Sequence, residues 1–180
     1  MKAIGDRGLA TTKWNLDPVH TAVGFRVRHM MVHNVRGELE EVSGFVRYDP
    51  TCPEATVIEA EIPTTSVHTR NEQRDAHMRN ADFFDSDTYP TAVFRSTRAR
   101  VAGPDALDVV GNLTLRGITR EVTLAIVNIA GPARDHRGAI RMGASATAKI
   151  NRSDFGITYK GVGIGEEVSL SMDLSLVKEE

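Results

Sequence analysis

The 180 residues, 41% of them hydrophobic and 26% charged, suffice to bury one core, and a formal net charge of -2 gives no bulk steering toward nucleic acid or an anionic membrane. The single cysteine, Cys52, excludes an internal disulfide, and its Asp-Pro-Thr-Cys-Pro setting reads as an inert loop thiol. No stretch approaches the roughly 20 apolar residues of a membrane-spanning helix, and the charged N-terminus lacks a run of signal-peptide length, so the expectation is a cytoplasmic protein with residues 1–12 flexible and one domain over 13–178.

In chain order, a short strand is expected at 14–16, followed by Phe25 and Val27 alternating with Arg26 and Arg28. Residues 28–35, with Met30, Met31 and Val32, lose the alternation and fit a helical turn. A strand over 39–48 comes next, then Ile58, Ala60 and Ile62 alternate with Glu59 and Glu61 until Pro63 ends the run. Thr69 with Glu72 has the spacing of a capping box and predicts a short helix over 70–78, then a turn at 82–85. Further strands are expected at 93–101, 107–115, 122–126, 140–150 and 168–177, separated by turn residues such as Gly103-Pro104-Asp105 and Arg116-Gly117. Roughly eight strands with mostly short connections favour an antiparallel sandwich or an up-and-down barrel over parallel βαβ units.

Met142, Ala144, Ala146, Ala148 and Ile150 alternate with Gly143, Ser145, Thr147 and Lys149, and the lysine places the alanines inside. Three alanines on an inward face leave space, and cores do not keep large voids without cost. Either a resident ligand occupies that space, or Phe25, Phe94 or Phe155 fills it from the opposite wall.

His29 and His33 have the spacing of a metal pair on one helix face, but no third ligand accompanies them. Arg74-Asp75-Ala76-His77 brings an acid, a base and a cation within one turn, a pattern suited either to general-base chemistry or to bracing a short helix. Gly161-Val162-Gly163-Ile164-Gly165 lacks the spacing of a dinucleotide loop and reads as a hairpin loop at a pocket rim. Asn151-Arg152-Ser153-Asp154-Phe155-Gly156 either braces a barrel end or lines its mouth.

Several blocks together carry a resemblance. They are Trp14-Asn15-Leu16-Asp17 with His20, Thr69-Arg70-Asn71-Glu72-Gln73-Arg74-Asp75-Ala76-His77, Ala81-Asp82-Phe83-Phe84-Asp85, and Tyr89-Pro90-Thr91-Ala92-Val93-Phe94. Gly111-Asn112-Leu113-Thr114-Leu115-Arg116-Gly117 and the 151–156 block complete the series. In this order, over residues 13–176, they closely resemble the YceI-like family. The resemblance implies an eight-stranded lipocalin-like antiparallel barrel with a helical insertion around residues 70–85, which binds a polyisoprenoid chain or an isoprenoid quinone in an apolar tunnel. Many family members carry a secretory signal. The family has no established catalytic residues.

The expected function is therefore a carrier or store for an isoprenoid lipid, with no catalytic residue, cofactor or metal and no nucleic-acid partner. The inward faces supply the expected wall: Phe25, Val27, Ile58, Ala60, Ile62, Phe94, Leu113, Leu124, Ile126, Ala144, Ala146, Ala148, Leu170, Met172 and Leu174. Arg74, Asp75, His77, Asp154 and Phe155 are expected at the mouth or in structural roles. Two alternatives stand beside this: a hydrolase or isomerase using Asp75 and His77, and a filled barrel that serves only as an interaction module. A homodimer through an exposed sheet face or edge is compatible with either.

Overall fold

Residues 11–161 and 163–180 are described by a computed structural model. The expected flexible segment 1–12 lies outside the described residues up to position 10. Alternation produces eleven strands: β1 (Thr12–Leu16), β2 (Ala22–His29), β3 (His33–Leu39), β4 (Ser43–Tyr48), β5 (Val57–Pro63), β6 (Val67–His68), β7 (Thr91–Gly103), β8 (Ala106–Leu115), β9 (Ile118–Arg134), β10 (Ile140–Asn151) and β11 (Ile164–Lys178), with helix α1 (Glu72–Arg79) between β6 and β7.

These strands close an eight-stranded antiparallel barrel. β1 bonds β4 on one side and β11 on the other, which completes the ring β1-β4-β5-β7-β8-β9-β10-β11. One edge of β11 pairs with β1 at Leu176, Val177 and Lys178 and with β2 from Ile164 to Asp173. β1 and β2 are thus two pieces of one stave, and β3 with β4, and β6 with β5, continue the same arrangement. At the β1 end the ladder is closed. At the other end β6 forms no ladder with β7 among the described residues, and the segment carrying α1 stands there.

The broken staves account for two differences from the sequence reading. Residues 28–35 are not a helical turn but the tip of the β2–β3 hairpin, with His29 paired to His33. The left-handed backbone at Met30 and Met31 (φ 51° and 57°) turns the chain there, a conformation no side-chain pattern announces for methionine. Residues 39–48 are two strands, because Leu39 and Val42 are both buried at a spacing of three. A continuous strand would put them on opposite faces, so the chain turns a corner between them.

Helix α1 begins two residues later than the capping-box reading places it. Asn71 is its N-cap and accepts a hydrogen bond from the Arg74 N–H at 2.9 Å. The Thr69 hydroxyl instead donates to Asp75. No helix of the described residues is long and apolar enough to cross a membrane.

Candidate ligand-binding cavity

The interior is stratified along the barrel axis. At the α1 end, a cavity of about 130 Å³ is lined by Val23, Phe25, Val27, Leu39, Ile62, Ala92, Leu113, Leu115, Ile150, Val168 and Leu170 from the strands. Met78 of α1, Phe83 and Phe84 of the turn that follows it, Ile157 of the loop before β11 and Ile164 at the start of β11 close it. Its only polar lining residues are Thr64 and Arg152. Its walls present apolar atoms almost throughout, so water inside would find few hydrogen-bond partners.

Toward the β1 end lies a smaller apolar void of about 30 Å³, bounded by Ile58, Ile126, Ala144, Leu174 and neighbours. Above it opens a cleft of about 460 Å³ lined by Trp14, Tyr48, Asp49, Asp105, Met142 and Lys178. Burial, reinforced by the Asp105 and Asp49 carboxylates, pushes the Tyr48 phenol up from its ordinary pKa.

Between the two voids the strands contribute a packed layer. Ala60, Phe94, Leu124, Ala146, Ala148 and Met172 occupy the inward positions between residues that line one void and residues that line the other. The expected wall residues therefore divide in three. Phe25, Val27, Ile62, Leu113 and Leu170 face the larger cavity, Ile58, Ile126, Ala144 and Leu174 the smaller, and the remaining six the partition. The axis is neither one continuous tunnel nor a row of aromatic rings.

The alanine row explains the partition. Ala144, Ala146 and Ala148 pair across the ladder with Leu174, Met172 and Leu170. Long side chains on β11 thus offset short ones on β10, and the Phe94 ring lies over Gly111, where an added Cβ would come within 2.4 Å of it. Phe25 covers Gly37 in the same way. Phe155, the third aromatic considered as a plug, is 1% exposed and packs in the core from the short turn after β10.

The expected mouth residues have separate duties. Asp75, 4% exposed, accepts from the Thr69 N–H at 2.8 Å and from its hydroxyl at 2.5 Å. Arg74 donates to the Thr69 hydroxyl and carbonyl, both at 2.7 Å. Together they fasten the start of α1 to the end of β6. His77 bonds Asp82 at 2.8 Å and packs edge-on against Phe83 and Tyr159. Asp75 and His77 are not paired with each other: Asp75 lies 3.4 Å from the His68 imidazole, and His77 is paired with Asp82. Asp154 is exposed in the turn after β10. His29 and His33 face each other across the hairpin with ring centroids 5.1 Å apart rather than along a helix. Among the described residues, no group of three or more histidine, cysteine or acidic side chains could hold a metal ion.

The sequence reading left Arg152 without a role of its own. Its guanidinium is buried and makes five hydrogen bonds: to the carbonyls of Ile157, Tyr159, Ile164 and Gly165, and to the Glu166 carboxylate. It pins the loop between β10 and β11 across the end of the larger cavity. The only hint in the sequence is an arginine directly after an inward-facing strand, and nothing local indicates that its acceptors are carbonyls 5 to 13 residues on and a carboxylate 14 residues on.

With this geometry in view, comparisons with known proteins agree. The YceI-like domain matches residues 14–176. The chain is 34% identical over 180 residues to Protein YceI of Shigella flexneri, covering 100% of this chain and 93% of that protein. Among solved structures, Burkholderia cenocepacia BcnA superposes with a TM-score of 0.80 at 22% identity, covering 89% of this chain and 98% of BcnA. A polyisoprenoid binding domain from Saccharophagus degradans superposes with a TM-score of 0.70 at 16% identity over 94% of this chain and 99% of that domain.

Proposed function

The chain belongs to the YceI-like family, and from that premise we propose that it binds the tail of a long isoprenoid lipid, such as a polyprenyl quinone or its precursor, as a carrier or store and without catalysis. The observation that carries this reading is the apolar cavity of about 130 Å³ beneath α1, beside an interior partition of small and apolar side chains in which Met172 can rearrange. Methyl-branched hydrocarbon suits such a wall, since burial contributes about 25 cal/mol per Å² without demanding polar partners. A polyisoprenoid binding domain with the same fold supports the ligand class.

The cavity alone takes a fragment about the size of benzene, which an engineered apolar void of roughly 150 Å³ is known to hold. A longer tail requires the partition to move. Met172 is its most adaptable member, with three rotatable bonds and no branch. The reading therefore predicts a threshold in chain length. In titrations with a graded series of polyprenols, Val168→Phe, which fills the larger cavity, should abolish binding of every member. Met172→Ala, which thins the partition, should strengthen binding of the longest members selectively. Binding that is unaltered in Val168→Phe would remove the cavity from the account.

A further inference from the structure

The β2–β3 tip exposes three consecutive apolar side chains, Met30, Met31 and Val32, at 50%, 75% and 81%. Singly exposed apolar residues need no explanation, but three at one protruding corner do. The tip is held from below: the Met30 N–H donates to the Gly163 carbonyl at 2.7 Å, and the Arg28 guanidinium donates to the Met31 carbonyl at 3.0 Å. Its two supports are walls of the larger cavity, since Val27 on β2 and Ile164 at the start of β11 both line it.

The charge nearest the tip is mainly positive, with Glu38 the next outward residue on β3, on the side away from the tip. Residues 22–37 contain Arg26, Arg28 and Arg36 and no acid, and the adjoining loop 157–163 contributes Lys160 and no acid. Among the described residues, none of these four cations lies within ion-pair distance of a carboxylate. The nearest acids in sequence on β11, Glu166 and Glu167, are occupied by Arg152 and Lys149. Arg26 and Arg36 stand directly opposite each other in the ladder, and Glu38, which shares their groove, is not within ion-pair distance of either, so the like-charge pair leaves room for a further anion. A chain with a net charge of -2 has thus placed four cations, none of them in an ion pair among the described residues, around an apolar point.

We infer that the β2–β3 tip docks the protein on an anionic lipid bilayer, with Met30, Met31 and Val32 entering the headgroup region and Arg26, Arg28, Arg36 and Lys160 meeting lipid phosphates. Apolar insertion and polybasic attraction are each weak alone and effective together. The inference rests on the lipid-binding reading above and names where the lipid enters and leaves: at the cavity end that faces the membrane.

Vesicle co-sedimentation of the full chain tests it, using phosphatidylcholine vesicles with and without phosphatidylglycerol. The wild type should sediment with the anionic vesicles, less so as salt is raised, and the double substitution Met31→Asp with Val32→Asp should weaken this by about tenfold or more. Both side chains are too exposed for their replacement to disturb the core, and matching thermal unfolding curves check that. Failure of the wild type to bind anionic vesicles, or equal binding by the double variant, overturns docking. So does dimerisation that the double variant abolishes without any vesicle binding, which would assign the tip to a second copy of the chain. Polyprenol titration in solution stays at wild-type strength in the variant if the cavity reading holds, so the two ideas fail separately.

Discussion

Arg152 shows how one side chain governs a large piece of surface. Four carbonyls, of Ile157 and Tyr159 in the β10–β11 loop and of Ile164 and Gly165 at the start of β11, accept from its guanidinium, and no other cation has the five-donor fork to serve them. Replacing it with alanine leaves several buried acceptors unpaired, so urea unfolding should show a loss of about 3 kcal/mol or more. Arg152→Lys should recover little of it, because an ammonium has three donors on one atom. Polar bracing also fixes the opposite corner. Arg141 bonds Asp17 and Asp135 at 2.6 Å each, and His20 bonds Asp17 at 2.7 Å. The Arg141 guanidinium, then the His20 imidazole, hold the Asp17 carboxyl well below the usual carboxylate range, and the same arginine brings Asp135 down to about 2. Both are depressed relative to an unfolded carboxylate near 3.9, so their contribution is complete from about pH 5 upward and shrinks as pH falls, being lost for Asp135 through about 2 and for Asp17 at still lower pH. Thermal midpoints followed from pH 5 to pH 2 should fall more steeply for the wild type than for Arg141→Ala.

At the scale of elements, α1 stands out for how little apolar surface it offers, with Ala76 and Met78 its only apolar residues. It is held by polar contacts instead. Asp75 and Arg74 tie its start to Thr69, and Arg79 donates to the carbonyls of Thr65 and Val67 near its end, at 3.0 and 3.2 Å. Elements fastened this way open at lower cost than those packed into a core. Amide exchange should therefore be faster in α1 than in β8, and Asn71→Ala, by removing its cap, should raise α1 exchange further by an amount equivalent to about 1 kcal/mol.

The strands were the most legible part of the sequence, because alternation over β5, β8, β10 and β11 is a direct consequence of one dry and one wet face. Where the reading failed, tertiary geometry overrode the pattern. The left-handed turn at Met30 and Met31, the corner between Leu39 and Val42, and the cap passing from Thr69 to Asn71 each depend on partners far along the chain or on backbone angles without a side-chain signature. The wall residues were recoverable as inward-facing positions, but their division between two voids and a partition was not. That division depends on which side chains meet across the axis, and the long β11 residues opposite the alanines decide it.

For the molecule as a whole, the barrel has unlike ends. One is a wide cleft with acidic residues on its rim. The other is a small apolar cavity beneath α1, with a cationic apolar tip beside it. Such polarity suits a protein that exchanges a hydrocarbon guest at one end only. A barrel that served only as a packed interaction module would be more stable with larger side chains closing this space, since empty volume costs about 24 cal/mol per Å³.

Native mass spectrometry of the freshly purified full chain, run beside Val168→Phe, shows whether the barrel carries an isoprenoid guest. An apolar adduct of isoprenoid mass on the wild type, absent from the variant at matched thermal stability, is the predicted result. A wild-type chain that is bare in the spectrometer and stays bare after incubation with long polyprenols would contradict it.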